Sequence, residues 1–356
     1  MKKTILTALA VSVGMATANA QPKLTATNID EIIKAMTLEE KAKLLVGGAN
    51  NFFGDQAVVG GEADLVAGAA GTSPAIPRLG IPATVLTDGP AGVRIDPTRK
   101  GTTQTYYATG FPIGTCLAST WNTELVGKVG EAIGNETKEY RCDVILGPGM
   151  NLHRNPLCGR NFEYYSEDPV VSGEVAAAIT LGVQKHPGKG TTIKHYALNN
   201  QEDNRYFTNV HISERAAREI YLKGFEICVK KSQPIALMTS YNLINGIHAA
   251  CNYDTLQCAL RDEWGYQGVV MTDWFASQDM PALTGGGQTK YPISSAAGCV
   301  MAGNDIQEPG CSQNVRDIIR SVEEDTEVLG FKCTLADVQF CAANVIRAAI
   351  RCRFPQ

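Results

Sequence analysis

The run Gly268-Val269-Val270-Met271-Thr272-Asp273-Trp274 ends an apolar stretch in one carboxylate followed by an indole. A carboxylate at the end of a buried strand can act as nucleophile, general base or metal ligand. Aspartate at such a position also caps helices, and spacing alone weighs the two uses equally. Lys194 and His195 close a second apolar run and lead into Asn199-Asn200-Gln201-Glu202-Asp203. Both are donors suited to hydroxyl groups. Alternation along a strand points neighbours apart, so both reach one pocket only if the strand ends at Lys194. Taken alone, the pair reads as a solvated strand end. The stretch His153 to Glu163 holds Arg154 and Arg160. Arginine makes planar, two-pronged contacts with vicinal hydroxyls or a carboxylate, so one is expected to brace the loop and one to bind ligand. Asp88, in Thr87-Asp88-Gly89-Pro90-Ala91-Gly92-Val93-Arg94, offers two acceptors, although Asp-Gly is also a common turn. Tyr241 and Trp274 offer flat apolar faces, which in isolation are more often core.

Together these groups describe an acidic, aromatic pocket for hydroxyl-rich ligands, with no phosphate cradle. The five histidines are scattered and no HExxH occurs, so no catalytic metal is expected. No GxSxG elbow supports a serine hydrolase. No GxGxxG stands at a first strand–helix turn, and no cofactor is expected. A Schiff base on Lys194, as in an aldolase, is a competing use of the same residues.

Elements must deliver these residues to one place. Apolar runs predict strands at Ala83–Thr87, Pro112–Ala118, Val144–Gly147, Thr191–Tyr196, Ala236–Ser240, Gly268–Thr272 and Gly298–Ala302. Amphipathic stretches predict helices at Thr123–Arg141, Asp168–Lys185, Glu214–Lys230, Asp254–Glu263, Gln313–Glu324 and Leu335–Cys352. Strand-then-helix repetition points to an α/β chain folded as a (β/α)8 TIM-like barrel, with an open doubly wound sheet as the alternative. Polar residues gather at the strand ends, which in a barrel converge on its C-terminal face.

The chain has 356 residues, 44% hydrophobic and 19% charged, with a net charge of −4. That length fits one large barrel or two ordinary domains, and the composition suits a sizeable core and gives no pull toward nucleic acid. Lys2-Lys3, the apolar Ile5–Met15 and Ala18-Asn19-Ala20 predict a cleaved signal peptide over residues 1–20. The expected product is periplasmic or secreted, with no lipid or membrane anchor. The eleven cysteines show no CxxC pair. Cys116, Cys228 and Cys299 sit in apolar runs and read as small buried hydrophobes. Pairing among Cys251, Cys258, Cys311, Cys333 and Cys341 is open.

The motifs resemble glycoside hydrolase family 3. Thr87 to Arg94 is similar to that family's TDGPxGVR signature. The segment His153 to Pro169, then Lys194-His195-Tyr196, Asn200-Gln201-Glu202, Met238-Thr239-Ser240-Tyr241-Asn242 and Thr272-Asp273-Trp274 follow in the family's order. The resemblance runs from about Ile29 to the C-terminus and implies a barrel over residues 21–356. It implies Asp273 as nucleophile of a retaining exo-acting glycosidase, with Asp88, Arg160, Lys194, His195 and Tyr241 on the sugar and Arg94, Met238 and Trp274 lining its subsite. The β-glucosidase branch is implied, because Lys194-His195-Tyr196-Ala197-Leu198-Asn199-Asn200 departs from the KHFPGHG loop of the N-acetylglucosaminidases. Small oligosaccharides or aryl glycosides are the implied substrates. β-Xylosides and a non-catalytic sugar-binding barrel are alternatives.

In that branch the acid/base is a glutamate of an α/β sandwich domain following the barrel. Ala342–Cys352 reads as the last barrel helix. The expectation is therefore that this glutamate comes from a missing C-terminal domain or a second chain. Glu163, Glu202 and Asp203 are the local substitutes.

Overall fold

A computed structural model describes residues 21–48, 65–99, 101–276 and 294–354. The expected signal peptide lies outside the described residues. The central sheet has six strands: β1 (Gly71–Thr72), β2 (Val85–Asp88), β3 (Val144–Leu146), β4 (Gly190–Tyr196), β6 (Ala236–Thr239) and β9 (Val269–Met271), in that spatial order. From β2 to β9 every pairing is parallel, and β1 joins β2 antiparallel. Isolated bridges extend the sheet past β9. Met271 pairs with Ile306, Gln307 with Val46, and Gly48 with Thr72 of β1. The result is an α/β fold built on a curled sheet. A small sheet of β5 (Asn209–Val210), β7 (Leu243–Ile244) and β8 (Ile247–His248) lies apart from it.

Five of the seven expected strands are strands, displaced by a residue or two. The other two are helices. Gly114–Ala118, inside the expected Pro112–Ala118, is helical and tied to the arginine loop, where the Thr115 hydroxyl donates to the Asn161 carbonyl. Ala296–Met301, inside the expected Gly298–Ala302, is helical because Ser295 caps it by accepting from the Gly298 amide. A short apolar run between turns fits either element by periodicity.

Helices form where caps and apolar spacing agree. Pro169–Gln184 starts on Asp168, whose carboxylate accepts from the amides of Val170 and Val171, with proline in the first turn. Leu335–Arg353 starts on a Thr334/Asp337 capping box. Its C-terminal end reaches the N-terminal ends of the strands: Arg353 donates to the Ala83 carbonyl and pairs with Asp143 at 2.8 Å. The expected helix Glu214–Lys230 is interrupted by a wide turn at Ala217–Tyr221 and resumes as Lys223–Ser232.

Most core residues sit in two clusters. One joins strand residues Leu86, Val144, Met238 and Met271 to Val345 and Ile346 of the last helix. The other packs Ile193, Leu237 and Val270 against the helices Pro169–Gln184 and Lys223–Ser232. Of the cysteines expected to be buried, Cys228 and Cys299 are, whereas Cys116 is exposed, since the segment carrying it is a surface helix.

Candidate active site

The strand ends deliver their polar residues to one cavity of about 410 Å³. Asp88 ends β2, Lys194 and His195 lie in β4, Met238 in β6, and Asp273 and Trp274 follow β9. Tyr241 follows β6, and Arg160 comes from the loop after β3. All nine residues that the family resemblance placed at the site, Arg94 included, line this cavity. Lys194 and His195 both face it although β4 continues to Tyr196. The strand therefore does not end at Lys194. Instead the β4–β6 register slips between Ile193 and Tyr196, and such an irregularity re-aims side chains.

Asp273 sits at the floor. Its Oδ1 accepts the Trp274 amide at 2.7 Å. Its Oδ2 accepts no well-formed hydrogen bond, with His195 Nε2 3.7 Å away. The Tyr241 hydroxyl beside it donates to the Trp274 carbonyl. Burial raises the Asp273 pKa, and the charges of Arg160 and Lys194 pull it back. His195 is held neutral: burial first, then the charges of Arg160, Lys194 and Arg205, drive its pKa well below the ordinary value. Its contact with Asp273 is thus not an ion pair. The ring is fixed from behind by the Tyr164 hydroxyl and Asn151 Oδ1, each 3.3 Å from Nδ1.

Across the cavity Asp88 pairs with Arg94 at 2.9 Å and Lys194 at 3.4 Å. Burial opposes its charge, yet Lys194 and Arg94 outweigh burial and hold its pKa below the usual carboxylate range. An ionised carboxylate so placed is an acceptor for two neighbouring hydroxyls. Arg160 pairs with Glu163 at 2.5 Å. Burial works against the Arg160 charge, and Tyr164, Glu163 and Asp273 more than compensate. Arg154 lines a different cavity beside Tyr221, so Arg160 is the arginine at the site.

The local carboxylates suggested as proton donors are otherwise engaged. Glu163 is buried against Arg160, and Glu202 pairs with Arg205 at 2.9 Å while accepting from Asn199. Neither Glu202 nor Asp203 lines the cavity. Six cavity residues escaped the sequence reading: Gly68, Ala69, Ala70, Asp96, Leu146 and Arg205. The Arg205 guanidinium lies 4.5 Å from the Tyr241 ring centre. Its only sequence signal is its place after the polar run that follows β4. Among the described residues no cluster of three or more His, Cys, Asp and Glu side chains could hold a metal ion.

Residues 28–328 match the sequence pattern described as the glycosyl hydrolase family 3 N terminal domain. The chain belongs to glycosyl hydrolase family 3. Beta-glucosidase B of Emericella nidulans is 40% identical over 288 residues, covering 81% of this chain and 29% of its own length. An exo-alpha-(1->6)-L-arabinopyranosidase of Bifidobacterium breve is 45% identical over 259 residues, covering 72% of this chain and 31% of its own. Among solved structures, beta-glucosidase 3B from Thermotoga neapolitana in complex with alpha-D-glucose superposes with a TM-score of 0.80 at 43% identity, over 91% of this chain and 42% of that one. The family 3 chain described here thus spans about a third of the length of these curated relatives.

Proposed function

We propose that this chain is the nucleophile-bearing barrel of a retaining glycosidase that releases the terminal sugar of β-glucosides. The observation that carries the reading is Asp273, a buried carboxylate that lines a sugar-sized cavity and whose Oδ2 accepts no well-formed hydrogen bond. Asp88, Lys194 and His195 take the sugar hydroxyls, Arg160 and Tyr241 hold the carboxylate side, and Met238, Arg94 and Trp274 shape the subsite. Asp273 attacks the anomeric carbon as the bond to the leaving oxygen breaks, giving a glycosyl-enzyme that water then hydrolyses. Raised yet still balanced by Arg160 and Lys194, Asp273 gains stabilisation when its charge passes into the covalent bond.

The leaving oxygen needs a proton from a second carboxylic acid about 5–5.5 Å from the nucleophile. Glu163 and Glu202 are held in ion pairs, so the donor is proposed to come from a segment outside the barrel, in the same protein or a second chain. We further infer that the bridges at Ile306, Gln307, Val46 and Gly48 close the sheet as an irregular (β/α)8 barrel. The Lys2-Lys3, apolar and Ala-Asn-Ala succession supports export to the periplasm or beyond.

The arabinopyranosidase relative favours a second reading, release of a pentopyranose such as xylose or arabinose. Sugars of that class lack the hydroxymethyl group, a difference worth about 1–3 kcal/mol in a pocket.

The test is intact mass after incubation with an activated 2-deoxy-2-fluoro-β-glucosyl donor, whose leaving group needs little protonation. The expected result is a gain of one sugar by the wild-type chain and none by Asp273→Ala. A folded wild-type chain that binds glucose yet gains no mass with gluco-, xylo- or arabino-configured donors would instead make it a sugar-binding barrel.

A further inference from the structure

Two buried thiols that the proposed chemistry does not use face each other outside the cavity. Cys251 ends the short helix Ala249–Cys251, and Cys299 lies in the helix Ala296–Met301. They are 2% and 0% exposed, with their sulfurs 3.9 Å apart. A Cβ at Gly298 would come within 2.7 Å of the Phe331 ring and 3.0 Å of the Cys251 sulfur, so the glycine beside Cys299 makes room for both against the helix. The backbones are held together independently of the sulfurs, because Asn304 Nδ2 donates to the Ala250 carbonyl. Phe331 packs over the pair.

We propose that Cys251 and Cys299 form a disulfide when the chain folds in an oxidising compartment. A disulfide needs sulfurs about 2.05 Å apart, so the two side chains together must close about 1.9 Å. The oxidant is a protein or small-molecule disulfide. One cysteine thiolate attacks it, breaking the oxidant's S–S bond and releasing one thiol. The second cysteine then attacks the mixed disulfide and releases the other thiol. Two cysteines are oxidised, one disulfide is reduced to two thiols, and the cysteine protons end on those thiols.

Contact with Cys251, together with burial, holds the Cys299 thiol well above its ordinary pKa. The nucleophilic thiolate is therefore scarce once the fold has formed. Oxidation belongs to the folding chain, and the finished bond is sheltered from reductants. The bond ties residues 48 apart and encloses Asp273 and Trp274 in the covalent loop. Its role is to restrain the segment that carries the nucleophile.

The test uses the whole 356-residue chain, exported in one preparation and refolded in a glutathione buffer in another. Each is alkylated in denaturant without reductant and mapped by mass spectrometry. The expected product is a peptide pair joined through Cys251 and Cys299, lacking two hydrogens and separated by reduction. The oxidised wild type should melt several degrees above the reduced wild type. Cys251→Ser and Cys299→Ser should both lose that difference between oxidised and reduced samples. Full alkylation of both cysteines in both preparations would overturn the proposal. So would a bond from either to another partner, such as Cys341, whose sulfur donates to the Val300 carbonyl next to Cys299.

Discussion

One oxygen of Asp273 accepts an amide and the other is buried with no well-formed hydrogen bond. A buried carboxylate held in that way costs stability, which is the usual trade at a reactive position. Asp273→Asn is expected to raise the melting temperature at neutral pH while abolishing sugar labelling, read by calorimetry and intact mass together. Asp88→Asn leaves Lys194 with no ionised partner at 3.4 Å and removes one acceptor for sugar hydroxyls. Labelling per unit of donor should slow by roughly tenfold or more, which is about 1.4 kcal/mol or more in the transition state.

Glu308, which hydrogen-bonds the residues flanking Asp273, poses the same problem. Its carboxyl is fully buried, neither oxygen has a partner, and burial holds its pKa well above 4.5. The folded state keeps the proton, whereas the unfolded state releases it as pH rises past about 4.5. Glu308's contribution is therefore fully present below that pH and is lost as pH climbs toward the folded pKa, by up to about 1.4 kcal/mol per unit. Glu308→Gln should flatten this slope, so the stability gap between variant and wild type widens in the variant's favour from pH 5 to 7. Denaturant melts across that range check it.

At the scale of elements, caps and strand ends decide the geometry. Asp168→Ala removes the acceptor for two amides at the start of Pro169–Gln184 and should cost about 1 kcal/mol in denaturant unfolding. The strands that carry Asp88, Lys194, Met238 and Asp273 were legible because β-branched runs stop at polar residues. Ile306 and Gln307, which continue the sheet past β9, were not. They lie in Asn304-Asp305-Ile306-Gln307-Glu308, a run too polar to read as a buried strand. Asp305 makes it fit, its carboxylate accepting the Val270 amide and pairing with Arg261 at 2.6 Å. The slip within β4 was equally hidden, since register is a property of two strands and the sequence shows one at a time. Arg205 escaped for a similar reason. Its use at the site depends on a loop folding back onto Tyr241, which no local spacing encodes.

For the whole molecule, the alternation of strand and helix announced the α/β class, and the motif order announced the family. How the last helix bears on the sheet could not be read, because its amphipathic pattern fits any apolar surface. In the structure Lys189 meets Oδ1 of the buried Asp143 and Arg353 meets Oδ2, which also accepts the Val85 amide. Arg353→Ala is expected to destabilise the chain by about 1–3 kcal/mol through the lost charged hydrogen bonds, measured by chemical denaturation.

That arrangement also sets an order in time. Synthesis runs from the N-terminus, and domains generally fold as units once their residues are available. Asp143 emerges from the ribosome long before Arg353, which joins it from the far end of the helix Leu335–Arg353. Until that helix is released, the strand floor beneath Asp273 lacks both its apolar cover and one of its cations. The nascent chain must therefore wait until residue 353 is released, with its sheet still open to chaperones or to a neighbouring copy.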